Sequence, residues 1–261
     1  MIDEKPYKEL TEAQNYYLLA ARILKGSDYN LDIESAITYL KKSAQLGLNE
    51  ARYQLGVIYS DDGYRHQDSN KAFEWFKQAS DDEFTPARFA LATLYSQQED
   101  YSKAFDILNT LALSGLAEAQ TNLADFYLSE KGVEKDVNRA VSLLTQAADK
   151  GDRLAQYRLG LLCYEGREVV SDYIKARKYT VMAMEQKLLP AYFVMGAMLE
   201  HGFGIDKDLV RTYGLYAYCQ YYGLPNLTDL MDDVLARMSD IEQHKAKQFA
   251  REYRHNEPAP E

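Results

Sequence analysis

The sequence predicts an all-α protein: an α-solenoid of stacked helical hairpins that ends in a C-terminal capping region of helices. Aspartates recur 36, 32, 36, 36 and 36 residues apart, and all but the last have alanine four residues later. Columns of small residues keep the same rhythm, and apolar residues recur at the spacing of helical turns. The aspartates are Asp32, Asp68, Asp100, Asp136, Asp172 and Asp208.

Each repeat predicts two helices. The first, as in residues 50–59 (EARYQLGVIY), carries an apolar stripe at helical spacing. Its small residue is expected where a neighbouring helix comes close, and the second helix is expected to begin at the aspartate, a good N-cap. One hairpin cannot bury its apolar face alone, so the hairpins must stack. The small residues are Gly56, Ala92, Ala124, Gly160 and Gly196.

The turns between repeats carry a second signal. Glycine recurs just past the second helix, where it adopts a left-handed C-cap without penalty. Glu83 and Lys187 replace it in two repeats, so we expect those helix ends to be looser or longer. The connection at residues 96–100 (SQQED) is four residues shorter than its equivalents and predicts a tight hairpin turn. The glycines are Gly47, Gly115, Gly151 and Gly223.

The ends of the chain predict caps. Residues 1–30 are expected to hold a helix that enters the array, residues 31–223 the array itself, residues 224–255 capping helices, and residues 256–261 a frayed tail, all as one continuous structural domain. Within the cap, residues 227–238 predict one helix. Ser239 and Glu242 form a capping box that opens a final helix to about Tyr253.

The columns resemble the Sel-one-like repeat (SLR), a relative of the tetratricopeptide repeat, over about residues 11–223. Residues 155–160 (AQYRLG), 202–208 (GFGIDKD) and 71–75 (KAFEW) match three parts of the family pattern. The resemblance implies about five to six units with a concave inner surface. It also implies a non-catalytic adaptor or regulator, since most SLR proteins act in that way.

Charge restricts the classes of partner, and cysteine content indicates the cellular location. Acidic residues outnumber basic ones 40 to 30, for a net charge of −10, which argues against nucleic acid and anionic membranes and permits a basic protein partner. The N-terminus has no signal-peptide pattern, and no run of 18 apolar residues occurs. With Cys163 and Cys219 expected as buried free thiols, the sequence favours a cytoplasmic location.

Motifs for catalysis are missing from the sequence. It contains neither a phosphate-binding P-loop nor a G-x-S-x-G nucleophile elbow, and no histidine stands at ligand spacing from another histidine or a cysteine. Cys163 lies in a column otherwise filled by tyrosine or leucine, which favours packing over nucleophilic chemistry. We therefore expect no enzyme activity, no metal and no cofactor.

A candidate partner-binding surface follows two columns of the first helices. An aromatic column has two open interpretations: a ladder that grips a peptide in the concave groove, or the consensus packing of the family. Columns that vary between repeats, such as the one through Arg52, Arg88, Gln120, Gln156 and Tyr192, are where partner choice could be encoded. The candidate residues are Tyr17, Tyr53, Val57, Phe89, Thr93, Thr121, Asp125, Tyr157, Leu161 and Phe193.

Three functions remain open. The first is a scaffold or adaptor that binds a protein or peptide on its concave face. The second is an immunity protein that neutralises a bacterial toxin by direct binding, with the negative charge steering a basic partner. The third, a hydrolase related to the β-lactam-binding SLR proteins, is disfavoured because no serine or metal site is visible.

Overall fold

The computed structural model describes residues 10–25, 32–64 and 66–256, and these fold into fourteen α-helices and one short 3-10 turn without a strand. The all-α prediction is confirmed. Contact density divides the chain between Leu111 and Ala112 into two compact units, called unit 1 and unit 2. The first six helices are α1 (Glu12–Lys25), α2 (Ile33–Gln45), α3 (Asn49–Ser60), α4 (Ser69–Asp81), α5 (Thr85–Gln97) and α6 (Tyr101–Leu113). The others are α7 (Ala117–Ser129), α8 (Val137–Asp149), α9 (Arg153–Glu165), α10 (Tyr173–Glu185), α11 (Leu189–His201), α12 (Leu209–Tyr221), α13 (Thr228–Ala236) and α14 (Asp240–Asn256).

Within each unit, consecutive helices pack as stacked hairpins. In unit 1, α1 packs on α2, α2 on α3, α3 on α4 and α4 on α5. In unit 2, the same succession runs from α7 to α12. The core alternates alanine with large apolar residues: Ala36, Leu40 and Ala72 are fully buried in unit 1. The stacking predicted from the repeat is confirmed.

The repeated aspartates cap the second helices. Asp68 Oδ1 accepts a hydrogen bond from the backbone N–H of Lys71 at 3.1 Å, and Asp136 Oδ1 accepts one from that of Arg139 at 2.9 Å. These bonds satisfy a backbone donor that the first turn of a helix leaves unpaired. The predicted N-caps are confirmed at all six positions.

The prediction of longer helices before Glu83 and Lys187 is wrong. Both residues have a left-handed φ of 59°, in the same region as the glycines of the other repeats. Helices α4 and α10, which precede them, are 13 residues long, like α2 and α8. A residue with a side chain adopts this conformation at a cost of about 1–2 kcal/mol. The stacking of neighbouring helices thus sets where the second helix ends.

Glycine in the first helices permits close packing, as expected. A Cβ added to Gly56 would lie 2.5 Å from Phe76 Cε1, and one added to Gly196 would lie 2.5 Å from Tyr216 Cε1. Real Cβ atoms do not approach a ring so closely. The ring of the second helix therefore lies directly against the backbone of the first.

The C-terminal helices cover the last hairpin. Helix α14 packs on α12, where Phe249 lies over Gly214, and α13 also contacts α12. Glu242 Oε2 accepts a bond from the backbone N–H of Ser239 at 2.9 Å, which confirms the capping box. Helix α14 continues to Asn256, three residues beyond the predicted end. The rest of the predicted tail, 257–261, lies outside the described residues, as do 1–9 of the predicted N-terminal segment.

Candidate functional site

A groove in unit 1 collects three of the candidate residues. It lies between α3 and α5, has a volume of about 440 Å³, and is called the α3–α5 groove. Tyr53 packs against Phe76, with ring centroids 5.6 Å apart, and Val57 and Thr93 lie along the groove. None of the described side chains that line it is charged. They are Tyr53, Val57, Ser60, Gln67, Ser69, Ala72, Phe76, Ala90, Thr93, Leu94 and Gln97.

The repeat produces a related groove one hairpin earlier. It has a volume of about 190 Å³ and is lined by Tyr17, Ala21 and Leu24 of α1, with Leu40 and Gln54. A shift of 36 residues relates Tyr17 to Tyr53 in the larger groove. Lys25 also lines this smaller groove, so it is not free of charge. Stacking first helices therefore creates a groove at each step of unit 1.

At the α7–α9 step of unit 2, an ion pair occupies the equivalent position. Arg158 of α9 pairs with Asp125 of α7, and these residues correspond in register to Ala90 and Val57 of unit 1. Burial lowers the pKa of the Arg158 guanidinium, because a charged group loses hydration there. The charge of Asp125, a candidate residue, is thus already engaged within the protein.

The aromatic candidates are half-buried and pack against their neighbours. Tyr157 packs against the cluster of Ala183, Leu188 and Ala191, and burial raises the pKa of its hydroxyl. Phe193 lies 5.3 Å from Tyr216 between ring centroids. Phe89 and Leu161 are also partly exposed. These contacts support the packing interpretation. The rings remain partly exposed, so a partner can still contact them.

Thr121 does not belong to an accessible surface. Its side chain is 2% exposed, and its hydroxyl donates to Asp152 Oδ1 at 2.8 Å and contacts the oxygen of Ala117 at 3.1 Å. Asp152 caps the next first helix, α9. Thr121 therefore connects two hairpins, and it is removed from the candidate surface.

The repeats match a described family. A family model named Sel1 repeat matches residues 13–48, 49–83, 117–152, 153–187 and 189–217, more than half of the chain. The chain belongs to the Sel1 repeat family. Sel1-repeat proteins mediate protein–protein interactions. The unmatched residues 84–116 contain the α5–α6 hairpin, whose connecting turn is the short one.

Several known proteins are similar to this chain in sequence or in fold. An uncharacterized protein of Neisseria meningitidis serogroup B is 30% identical over 218 residues, which are 80% of this chain and 46% of that protein. A protective antigen of uropathogenic Escherichia coli with an SLR fold aligns with a TM-score of 0.80 at 24% identity, over 92% of this chain and 53% of that one. An immunity protein of Pseudomonas aeruginosa aligns with a TM-score of 0.53 at 17% identity, over 98% and 90%. The chain thus spans about half the length of the first two.

Three members of one variable column face inward, while Arg52 and Arg88 of the same column are partly exposed. Gln120, Gln156 and Tyr192 are 3%, 2% and 1% exposed, so they offer nothing to a partner. The expectation that this column encodes partner choice is wrong for these residues. Each bonds to a main-chain oxygen eight residues earlier, in the preceding helix.

The thiols are buried and free, as predicted. Burial raises the pKa of Cys219 to about 12, and it also raises the pKa of Cys163, where nearby Asp172 acts in the same direction. Both thiols therefore stay protonated near neutral pH and are poor nucleophiles. None of the helices in the described ranges is both long and apolar enough to cross a membrane.

A larger cavity that none of the candidate residues lines lies in unit 2. It measures about 790 Å³ and is lined by residues of α8, α9 and α10 and by the loop before α10. Val170 and Ile174 at its border are 93% and 80% exposed. Neither residue is among the candidates, because the candidates all lie on first helices. Val170 lies in the loop before α10, and Ile174 lies on α10, a second helix.

Proposed function

We propose that this chain is a protein-interaction module that holds an extended segment of another protein in the α3–α5 groove. The observation that carries the proposal is that none of the described side chains lining that groove is charged. Gln67, Gln97 and Ser60 supply donors and acceptors for a main chain, while Tyr53 and Val57 supply apolar contact. At the α7–α9 step of unit 2 an ion pair takes the equivalent place, so the α3–α5 step is the better host of the two.

A lysine placed in the groove tests this function. Thr93→Lys puts a long cation among uncharged side chains, and the matched control is Thr110→Lys on α6. Both threonines are exposed, and each hydroxyl donates to the main-chain oxygen four residues earlier, Phe89 at 3.1 Å and Asp106 at 2.9 Å. The partner is captured from cells of the source organism, purified, and titrated calorimetrically against each folded variant.

We expect Thr93→Lys to weaken binding by at least about tenfold, since it introduces an uncompensated charge into the contact. Thr110→Lys should bind like the wild type. Equal affinity of both variants would move the binding site away from the α3–α5 groove. Equal loss in both would point to a general effect of added positive charge.

A second candidate function is neutralisation of a basic toxin by one-to-one binding. The net charge of −10 favours it, because long-range attraction accelerates capture of a basic partner. The Pseudomonas immunity protein shares the fold, and that likeness supports no more than compatibility of the fold with such a role.

Two properties of the captured partner would distinguish the functions. A toxin should bind one-to-one with a nanomolar or lower dissociation constant, and its association rate should fall steeply as salt screens the charges. Its effect on growth should disappear when this chain is co-expressed. Weak binding to several unrelated short peptides would reject the immunity function and leave the adaptor.

A further inference from the structure

A smaller cavity in unit 2 carries two arginines over an apolar floor. It lies between α10 and α12, measures about 330 Å³, and is called the α10–α12 cavity. Arg177 and Arg211 are exposed at its border, whereas Tyr192 and Met195 beneath them are 1% and 5% exposed. It is lined by Arg177, Val181, Met184, Glu185, Tyr192, Met195, Ile205 and Arg211.

Arg177 departs from its column in the repeat. The residue five positions after the N-cap aspartate is apolar or aromatic in every other repeat. Ile37 at this position is 4% exposed, and Phe73 packs edge-on against Tyr95 at 5.5 Å between ring centroids. The arginine at this position adds a charge that the packing of the repeat does not require, which indicates a role other than packing. The other members of the column are Ile37, Phe73, Phe105, Val141 and Tyr213.

Arg211 lacks the partners that its equivalents have. In the three repeats with lysine there, the lysine pairs with the N-cap aspartate: Lys71 with Asp68 at 2.9 Å, for example, and Lys103 with Asp100 at 2.6 Å. Lys71 and Lys103 also lie over a tyrosine ring, whereas the equivalent of that tyrosine in this hairpin is Leu199.

Both guanidinium groups are available to a ligand. Among the described residues, no carboxylate lies within 4.0 Å of Arg177 or Arg211. Glu185 also lines the cavity, so the lining carries two positive charges and one negative charge. Guanidinium binds carboxylate through two parallel hydrogen bonds, and methionine adapts its shape to varied side chains. Two cations above a methionine floor suit an anion joined to an apolar group.

We infer that the α10–α12 cavity binds an acidic peptide segment of another protein. Its carboxylates lie on Arg177 and Arg211, and one long apolar side chain lies against Met184 and Met195. A volume of about 330 Å³ holds one such side chain and not a whole domain. The segment carries few acidic residues, because the net charge of −10 repels a polyanion. This inference does not rest on the α3–α5 groove.

The test is a selection of displayed random dodecapeptides on the full-length protein, followed by affinity measurements with the synthetic peptides. Arg177→Ile is the informative variant, since the repeat itself places isoleucine at this position in α2. Lys178→Ile is the matched control: it makes the same change of charge on the same helix, outside the cavity. Both variants are checked for unchanged unfolding temperature.

We expect selected peptides to combine aspartate or glutamate with leucine, methionine or phenylalanine. Arg177→Ile should weaken them at least about tenfold, and Lys178→Ile less than about twofold. Replacing the peptide carboxylates by amides should weaken binding by the same factor as Arg177→Ile.

Several outcomes would overturn the inference. These are the recovery of no binding peptide, peptides without acidic enrichment, equal losses in the two variants, and sensitivity to Thr93→Lys, which would place the peptides in unit 1. A wild-type dimer in sedimentation experiments that Arg177→Ile converts to a monomer would show that a second copy of the chain occupies the cavity.

Discussion

Gln156 donates a hydrogen bond from Nε2 to the main-chain oxygen of Ala148, 3.1 Å away, and its side chain is almost fully buried. Gln186 Nε2 in turn donates to Gln156 Oε1 at 2.8 Å. Gln120, 36 residues earlier, makes the same bond to Ala112 at 3.3 Å. These amides join the first helix of one hairpin to the end of the helix before it.

Replacing Gln156 by leucine should therefore destabilise unit 2. The change removes the bonds of the buried amide to Ala148 and Gln186, which each keep a second bond to Gly151, so each bond lost should cost about 0.5–1.5 kcal/mol. Urea unfolding followed by circular dichroism measures it. Gln78→Leu on the exposed face of α4 is the control and should change the free energy of unfolding by less than about 0.5 kcal/mol. Equal losses would refute a structural role for the buried amide.

Gly56→Ala should destabilise unit 1 by about 1–3 kcal/mol, because the new Cβ meets the Phe76 ring at 2.5 Å. Phe76→Leu in the same protein should restore part of the loss, since Leu40 takes this position in the preceding hairpin. A double-mutant cycle on the free energy of unfolding measures the coupling. Additive effects would show that the ring does not set the requirement for glycine.

Local features were predictable from the sequence, and contacts between hairpins largely were not. Asp68 and Ser239 cap helices through residues three positions away, so their spacing alone suffices. Gln156 and Thr121 bond to preceding or following helices, and polarity alone made them resemble surface residues. Glu83 shows a third case, in which stacking imposes a glycine-like turn on another residue.

The candidate surface divides in the same way. The register brought Tyr53, Val57 and Thr93 into one groove, because equivalent positions on stacked first helices must adjoin. The register could not show that Asp125 is paired, since its partner Arg158 comes from a neighbouring column. Whether the side chains of a column remain accessible to a partner depends on which side chains meet between two neighbouring helices.

The Asp125–Arg158 pair should be replaceable by the residues of unit 1. Asp125→Ala alone leaves a partly buried cation without its partner and should cost about 1 kcal/mol. The double variant Asp125→Val, Arg158→Ala copies Val57 and Ala90 and should recover most of that loss. Thermal unfolding of the three proteins tests this. A double variant less stable than Asp125→Ala would show that the pair itself stabilises the stack.

Alkaline pH should destabilise the fold through Cys219. Its pKa is raised from 9.0 to about 12 by burial, so above pH 9 the unfolded chain loses a proton that the folded chain keeps. The free energy of unfolding should therefore fall as pH rises from about 9 towards 12, and the loss should be about 1.4 kcal/mol at pH 10. Cys219→Ala lacks this contribution. The stability advantage of the wild type over the variant should shrink between pH 8 and pH 10 in urea unfolding. A constant difference over that range would mean that the thiol ionises within the folded protein.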